Sequence, residues 1–229
     1  ELAYQRVNVE GTRTLARAAQ RAGVKKFVFV SSIKVNGEAS PHRAFTATDA
    51  PDPRDAFGRC KREGERAIAE ELTADRWVIV RPPLVYGPGM RGNLARMTQL
   101  VARGWPLPFA SIDNRRSLIG VDNLAELIAC LIERDAAAGR VWLAADDEDV
   151  STPELVRAIA AACGTEARLF ACPVKVLRAT AQVFGRASEM RRLTDSLYLD
   201  AAPARRELGW SPRVSFRDGL RRALSGESK

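Results

Sequence analysis

The segment FVFVSSIKVNG, residues 27–37, decides the fold that the sequence predicts. Its first four residues alternate Phe and Val, and so short and continuously apolar a run is typical of a strand covered on both faces. Trp77–Val80 is a second run of this kind and Val141–Ala144 is a third. Longer amphipathic stretches separate the three runs, so we expect an α/β chain whose strands lie side by side in a parallel sheet.

Helices are expected between and after these strands. The segment Val7–Arg21 has helical periodicity, and its predicted buried face contains Val7, Leu15, Ala18 and Ala19. Thr152-Pro153 has the pattern of a cap followed by proline at the first helical position, and the chain beyond it is mostly helical in pattern. Three further amphipathic segments predict helices over residues 56–72, 93–103 and 124–134.

Composition limits the class of protein. The chain has 229 residues, 46% of them hydrophobic, which is enough for a buried core in one large or two small domains. No apolar run approaches the roughly 20 residues of a membrane helix, so no membrane partner is expected. The net charge of +8 comes from basic residues scattered among acidic ones. A nucleic-acid partner is therefore not expected either.

Cysteine and histidine usage argues against a metal site. The four cysteines are far apart and form no CxxC pair, and His42 is the single histidine. We therefore predict no metal cofactor. A reduced, cytoplasmic protein is the expectation for such a chain.

Gly87–Gly92 fits the pattern GxGxxG after a predicted strand, as a dinucleotide fingerprint would. Pro88 removes a backbone N–H from the loop that would have to hold the pyrophosphate. The stretch WPLPF, residues 105–109, is also a poor second strand to carry the acidic Asp113. We do not assign a cofactor site to this loop.

A longer pattern that includes Gly87 and Gly89 supports a different interpretation of this segment. RPPLVYGPG, residues 81–89, resembles the RPxxVYGPG element of the extended short-chain dehydrogenase/reductases, the NAD-dependent nucleotide-sugar epimerase/dehydratase family. Five further stretches match that family in order and spacing, so the resemblance spans nearly the whole chain. They are NVEGT (8–12), FVFVSSIKVNG (27–37), FGRCK (57–61), RRSLIGVDNLA (115–125) and ARRELGWSPRVSFRDGL (204–220).

The resemblance implies a doubly wound, Rossmann-like parallel sheet, truncated at its N-terminus, with a small and mostly helical C-terminal substrate lobe. Residues 1–150 would form the C-terminal portion of the dinucleotide-binding domain, with an insertion of the lobe around 86–120. Residues 151–229 would form the remainder of the lobe. In this family the glycine-rich turn precedes the helix that begins near Asn8, so we expect this chain to lack the turn and to bind a dinucleotide feebly by itself.

The catalytic site follows from the resemblance residue by residue. Ser32 matches the hydroxyl that holds the substrate oxygen, and Lys61 matches the ammonium that binds the nicotinamide ribose. Phe57 stands where the family has its catalytic Tyr, so the proton-exchanging phenol is missing. The residues expected to bind the cofactor, NAD or NADP, are Lys61, Ser31, Asn8 and Pro82.

The same resemblance implies that the substrate is a nucleotide sugar. Asn93 and Arg116 are the expected contacts to its diphosphate, and Arg115 is a second candidate. Ser32 and Tyr86 complete the expected substrate-binding set. Without the family match, each residue has a simpler structural interpretation. The serines and Asn93 would end a strand or cap a helix, and the lysine and arginines would lie on the solvated surface.

The expected function is that of a nucleotide-sugar epimerase, dehydratase or ketoreductase that uses NAD or NADP. Because Phe57 cannot exchange a proton and the glycine-rich loop is not in the sequence, we expect the chain to be weakly active or inactive. The alternative is a non-catalytic protein of the same fold that binds a dinucleotide or a sugar nucleotide. A homodimer is left open as the assembly.

Overall fold

The computed structural model describes residues 2–225. Strands and helices alternate along most of this range, as the sequence predicts. The strands are β1 (Phe27–Val30), β2 (Trp77–Arg81), β3 (Leu84–Tyr86), β4 (Leu118–Gly120) and β5 (Arg140–Leu143). The helices are α1 (Leu2–Tyr4), α2 (Thr12–Arg21), α3 (Ala56–Glu71), α4 (Gly92–Ala102), α5 (Val121–Glu133), α6 (Thr152–Ala162), α7 (Val174–Val183), α8 (Ala187–Thr194), α9 (Ala202–Leu208) and α10 (Phe216–Ser225).

The main sheet has the order β1-β2-β5, with all pairs parallel. Phe27 lies opposite Trp77 in one pair, and Ile79 lies opposite Val141 in the other. This arrangement confirms that the three apolar runs are neighbours, and with it the prediction of a Rossmann-like α/β fold. The carboxyl ends of the three strands meet at one edge of the sheet because the strands are parallel.

The chain divides into two compact units. The first contains residues up to Pro83, Asn123–Ala145 and Leu199–Pro212, and the second contains Leu84–Asp122, Asp146–Tyr198 and the residues from Arg213. The insertion expected around 86–120 thus falls in the second unit. The stretch 199–212, which the sequence analysis assigns to the smaller lobe, belongs to the first unit, where α9 contacts β5.

The core of the first unit includes a cluster at the interface of α2 and α3. Ala16, Ala19, Ile68 and Leu72 are buried there. The segment before α2 also approaches α3 closely: a Cβ on Gly64 would lie 2.6 Å from the carbonyl oxygen of Asn8. A glycine is therefore needed at position 64 for this approach.

The predicted helix face is correct only in part. Ala19 is buried as predicted, together with Ala16, whereas Val7 is 68% exposed, Leu15 is 60% exposed and Ala18 is exposed. The segment Gln5–Gly11 between α1 and α2 is also π-helical, so its residues do not follow the 3.6-residue period that was assumed.

The burial of the β1 side chains also differs from the prediction. Val78, Ile79 and Val80 of β2 are almost fully buried, as predicted. The β1 side chains are only partly buried, and Val30 is 38% exposed. Within residues 2–225, β1 has a sheet partner on one side only, which makes it an edge strand.

The second unit is built around the parallel pair β3-β4 and three helices, α4, α6 and α10. Its core contains Tyr86, Leu118, Ile159 and Leu220, each at most 1% exposed. Helix α6 begins with a capping box formed by Ser151 and Glu154. The cap is therefore Ser151 and not Thr152. Among the described residues, no helix is both long and apolar enough to cross a bilayer.

Candidate active site

The carboxyl end of β1 leads directly into the two serines that the sequence analysis singles out. The Ser31 N–H donates to the Val80 carbonyl at 2.7 Å, which extends the pairing with β2 by one residue. Ile33 N–H then donates to the carbonyl of Pro82 at 2.9 Å. Pro82 itself is buried. In open parallel sheets ligands bind at this edge, beyond the carboxyl ends of the strands.

Lys61 reaches this edge from α3. Its Nζ donates to the Val30 carbonyl at 2.9 Å, immediately before the serines, and lies 4.7 Å from the centroid of the Phe29 ring. Burial lowers the pKa of Lys61, while the charge of Glu65 acts in the opposite direction. A half-buried ammonium is thus held beside the main chain that leads into Ser31.

The two serines have different environments. Ser32 Oγ accepts from Lys34 N–H at 3.3 Å and so caps the short 3₁₀ helix Ile33–Val35, which leaves its O–H able to donate elsewhere. Ser31 is 5% exposed, and its Oγ has no hydrogen-bond partner among residues 2–225. A buried hydroxyl without a partner is uncommon in proteins and needs an explanation.

Phe57 lies one helical turn before Lys61 on α3. The Lys61 Nζ is 5.8 Å from the centroid of the Phe57 ring. The Phe57 ring also packs edge to face against the ring of Tyr4, with 5.7 Å between the two centroids. Tyr4 is 46% exposed. The aromatic ring that the family match predicts beside Lys61 is therefore present, and it carries no oxygen.

The start of α3 is anchored to the loop that follows β1. Asp55 caps the helix by accepting from Gly58 N–H at 2.7 Å, and it also pairs with Lys34. A Cβ on Gly58 would lie 2.8 Å from the Lys34 carbonyl oxygen, so only glycine allows the two segments to touch without a shift. This contact fixes the position of Phe57.

A buried polar network that the motifs do not predict lies beneath the same edge. Arg81 makes two hydrogen bonds to Glu65, at 2.8 and 2.6 Å, and a third to Asn36 Oδ1 at 2.9 Å. All three residues are less than 8% exposed. The network joins the end of β2 to α3, one turn after Lys61, and to the loop after β1. A glutamate four residues after Lys61 and an arginine at the end of an apolar strand are the signals that could have revealed it.

Asn8 lies in the π-helical segment and is partly buried. Its carbonyl oxygen approaches Gly64 of α3, as described above. The first unit thus brings five of the predicted residues, Ser31, Ser32, Phe57, Lys61 and Pro82, to the end of β1 and the adjacent turns of α3. Asn93, Arg115, Arg116 and Tyr86 belong to the second unit.

The arginine pair of the second unit is largely engaged by the protein. Arg116 Nη1 donates to the carbonyl oxygens of Arg192 at 2.6 Å and Asp195 at 3.2 Å, and burial lowers its pKa. Arg115 is exposed, donates to Asp149 at 2.6 Å and lies 4.6 Å above the ring of Tyr198. The diphosphate contacts expected of both residues stay predictions, since each guanidinium has N–H groups beyond those used here.

Tyr86 requires a correction. It was expected to contact substrate, but it is 1% exposed and its hydroxyl donates to Asp146 Oδ2 at 2.7 Å. Burial and the hydrogen bond to Asp146 raise the pKa of the phenol. Its ring fills the space left by two glycines, because a Cβ on Gly219 would lie 2.9 Å from the Tyr86 hydroxyl oxygen. The residue belongs to the core of the second unit.

Replacing Tyr86 by Phe should therefore lower stability without removing a catalytic group. The change leaves one buried hydrogen-bonding position of Asp146 unfilled, at a cost of about 1–3 kcal/mol. Urea unfolding of the two proteins measures this difference. A Tyr86→Phe protein that unfolds at the same urea concentration as the wild type would contradict the structural role.

Asn93 lies in the first turn of α4 and is exposed. It borders a cavity of about 840 Å³ whose lining comes entirely from the second unit. Among residues 2–225, no group of three or more His, Cys, Asp or Glu side chains is arranged to hold a metal ion.

The chain is similar to proteins that act on activated sugars. The family described as "RmlD substrate binding domain" matches residues 1–224. A UDP-glucose 4-epimerase from Vibrio cholerae is 39% identical over 223 residues, which are 95% of this chain and 68% of the relative. An N-acetyl-alpha-D-glucosaminyl-diphospho-ditrans,octacis-undecaprenol 4-epimerase from Escherichia coli O157:H7 is 29% identical over 67% of this chain and 47% of its own length.

Solved structures agree on the fold. The Bordetella bronchiseptica enzyme WbmG, in complex with NAD and UDP, superimposes with a TM-score of 0.74 at 19% identity, covering 96% of this chain and 64% of that one. The chain thus spans about two thirds or less of the length of these relatives. It belongs to the RmlD substrate binding domain family, within the NAD-dependent epimerase/dehydratase group of short-chain dehydrogenase/reductases. The resemblance predicted from the six sequence motifs is confirmed.

Proposed function

We propose that this protein is an NAD- or NADP-dependent epimerase, dehydratase or ketoreductase of a nucleotide sugar, slowed by Phe57. One observation carries the proposal: Lys61 Nζ bonds to the Val30 carbonyl directly before Ser31 and Ser32, at the carboxyl end of a parallel strand. A hydroxyl donor and an ammonium at this edge are the groups that can hold a sugar oxygen and a ribose.

The residues at this edge fit a bound dinucleotide. The orphan Ser31 Oγ is a buried polar atom that would gain a partner from a ligand, and Lys61 has two further N–H donors beyond the one given to Val30. Lys61 and Ser31 would hold the nicotinamide ribose end, with Asn8 and Pro82 beside it. When bound, the nicotinamide supplies the hydride acceptor or donor.

The chain's own residues perform the remaining steps in this proposal. The Ser32 hydroxyl donates to the reacting oxygen of the sugar and orients it. Lys61 places a positive charge where negative charge develops on that oxygen, which favours loss of its proton. Phe57 offers no oxygen to receive that proton, so a water molecule or another group has to do so, at a lower rate.

Lys61→Met is expected to weaken NAD binding to the complete gene product by at least about tenfold, since a charge-assisted contact to the ribose is lost. Isothermal calorimetry measures the change. Lys25→Met is the matched control, because Lys25 is exposed and lies just before β1 rather than at its carboxyl end. Equal affinities of all three proteins would contradict the proposed role of Lys61.

A non-catalytic protein that binds the same ligands is the second candidate, and Phe57 is the observation that favours it. Tight binding of NAD and UDP-glucose without turnover, also in the Phe57→Tyr variant, would support this candidate over the enzyme. The four cysteines form no disulfide among the described residues, which supports the reduced cytoplasm that we propose as the compartment. A homodimer is the assembly that we propose.

The group attached to the diphosphate at the end opposite the sugar is a separate question. The Vibrio cholerae relative is named for a UDP-sugar, and the Escherichia coli relative is named for a substrate with undecaprenol on the diphosphate. Nucleotide sugars are the class that we propose first, because the motif match extends to the whole chain.

A further inference from the structure

Large hydrophobic side chains of the second unit are exposed in two segments of its chain. Trp105 follows α4 and is 59% exposed, and Phe170 precedes α7 and is 49% exposed. Helix α7 ends with Val183, 83% exposed, and Phe184 follows at 75%. Consecutive apolar residues and a tryptophan that stay this exposed mark a surface that contacts something other than water.

The two segments are neighbours in space. Phe170 N–H donates to the Leu107 carbonyl at 3.0 Å, so the chain just after Trp105 runs beside the chain that carries Phe170. Phe170, Val176 and Phe184 border the same concavity. The exposed apolar side chains therefore belong to one surface of the second unit.

The same segments are strongly basic. Residues 87–112 and 166–189 together contain seven Lys and Arg against two Glu, whereas the whole chain has 36 basic and 28 acidic residues. The two carboxylates, Glu166 and Glu189, stand at the ends of the second segment, and Glu189 pairs with Arg186 at 3.9 Å. A positive charge thus accompanies the exposed apolar groups.

Three of these cations are close in sequence to the exposed apolar residues: Arg103, Arg168 and Lys175. All three are exposed, and none of their side chains has an ion pair or a hydrogen bond within residues 2–225. Arg168 also lies near the turn that leads to Trp105, because a Cβ on Gly104 would be 4.0 Å from its Cζ. Their charges are available to an anionic partner.

A bilayer that contains anionic lipid matches this combination. Tryptophan and phenylalanine rings settle at the level of the lipid headgroups, and Lys and Arg are attracted by the negative surface. The core of a protein–protein interface is instead depleted of charged residues. Binding at the headgroups requires no spanning helix, and the sequence-based expectation of no membrane partner concerned spanning segments only.

We propose that an aromatic–basic surface of the second unit attaches the protein to membranes that contain anionic phospholipid. This surface consists of Trp105, Phe170, Phe184, Arg103, Arg168 and Lys175. The attachment is peripheral: the rings enter the headgroup layer, and the cations lie beside the lipid phosphates. Membrane attachment goes beyond the proposed function and does not depend on it.

Sedimentation of the complete gene product with lipid vesicles tests the proposal. Vesicles made of equal parts of phosphatidylcholine and phosphatidylglycerol should bind the protein at least about tenfold more tightly than vesicles of phosphatidylcholine alone, because several cations act together near the anionic surface. High salt should remove most of this preference, since it screens the charges.

Trp105 provides a second measurement. Of the four tryptophans in the sequence, all within residues 2–225, Trp105 is the exposed one, whereas Trp142 and Trp210 are buried and Trp77 is partly buried. Anionic vesicles should shift tryptophan emission to shorter wavelength as this ring leaves water. The shift should be absent in Trp105→Phe.

Two double variants separate the apolar contribution from the charge. Trp105→Ser/Phe184→Ser should weaken binding to the anionic vesicles at least about tenfold, through the lost apolar burial. Arg168→Gln/Lys175→Gln should lose most of the preference for anionic over neutral vesicles. All four side chains are exposed, so the unfolding midpoints of both variants should match that of the wild type.

Matched controls come from the first unit. Leu15→Ser removes an apolar side chain that is 60% exposed, and Arg21→Gln/Lys25→Gln removes two exposed cations. Vesicle binding by both controls should stay within about twofold of the wild type, because none of these residues belongs to the aromatic–basic surface.

Three results overturn the inference. The first is equal binding to the two kinds of vesicle, and the second is an equal loss of binding in the surface and control variants. The third is self-association that Trp105→Ser/Phe184→Ser abolishes while vesicles leave the tryptophan emission unchanged, because a second copy would then cover the surface. Vesicle binding as predicted, by a protein that does not bind NAD, overturns the proposed function alone.

Discussion

Phe57→Tyr is expected to raise the rate of nucleotide-sugar oxidation or reduction by about 10²- to 10⁴-fold, the usual contribution of a positioned general acid or base. The substitution adds one oxygen to a ring that already lies 5.8 Å from the Lys61 ammonium on the same helix. That charge would lower the pKa of the new phenol and favour its phenolate. NADH formation or consumption by the complete gene product measures the rate.

Tyr4→Phe is the companion variant for this prediction. Tyr4 packs against the Phe57 ring, so it is the natural source of any residual proton exchange in the wild type. If Tyr4 has this role, Tyr4→Phe abolishes the residual rate of the wild-type protein. The same substitution does not change the rate of the Phe57→Tyr protein. Equal and high rates in the wild type and Phe57→Tyr would contradict the assignment of Phe57.

Glu65→Gln should destabilise the protein by about 3–5 kcal/mol, the range observed when one partner of a buried ion pair is removed. Arg81 and Glu65 are 4% and 7% exposed, and both hydrogen bonds between them would be weakened or lost. The guanidinium would then be buried with only Asn36 as its partner. Chemical denaturation followed by circular dichroism measures the loss.

Two comparisons separate the charge effect from packing. Glu207→Gln removes one partner of a solvent-exposed pair with Arg140 and should leave the unfolding midpoint unchanged. The double variant Arg81→Met/Glu65→Leu removes both charges and should recover much of the stability lost in Glu65→Gln. A Glu65→Gln protein as stable as the wild type would show that the buried pair is not needed for the fold.

The strands were predictable because each is a short apolar run set between helical segments. Phe27–Val30 and Trp77–Val80 carry that signal in four residues each, and they pair in the expected parallel manner. The proximity of Lys61 to the serines also followed, because the family match places them at the end of one strand and in the facing helix. Local patterns with a fixed spacing were sufficient for these features.

Other features depend on contacts distant in sequence. Tyr86 looks like a site residue in its motif, and only the glycines at 120 and 219 and the carboxylate of Asp146 show that it fills a core. On the predicted face of the first helix, Ala19 is buried as expected, whereas Val7, Leu15 and Ala18 are exposed, because Val7 lies in the π-helical segment and the contact with α3 buries Ala16 and Ala19. No single-sequence pattern contains the distance between two helices.

The most direct test of the central claim is a crystal structure of the complete gene product grown with NAD. We expect Lys61 Nζ to lie within about 3 Å of a hydroxyl of the nicotinamide ribose, a normal hydrogen-bond distance, with the nicotinamide ring beyond the carboxyl end of β1. A dinucleotide bound elsewhere, with Lys61 making no contact to it, would contradict the account.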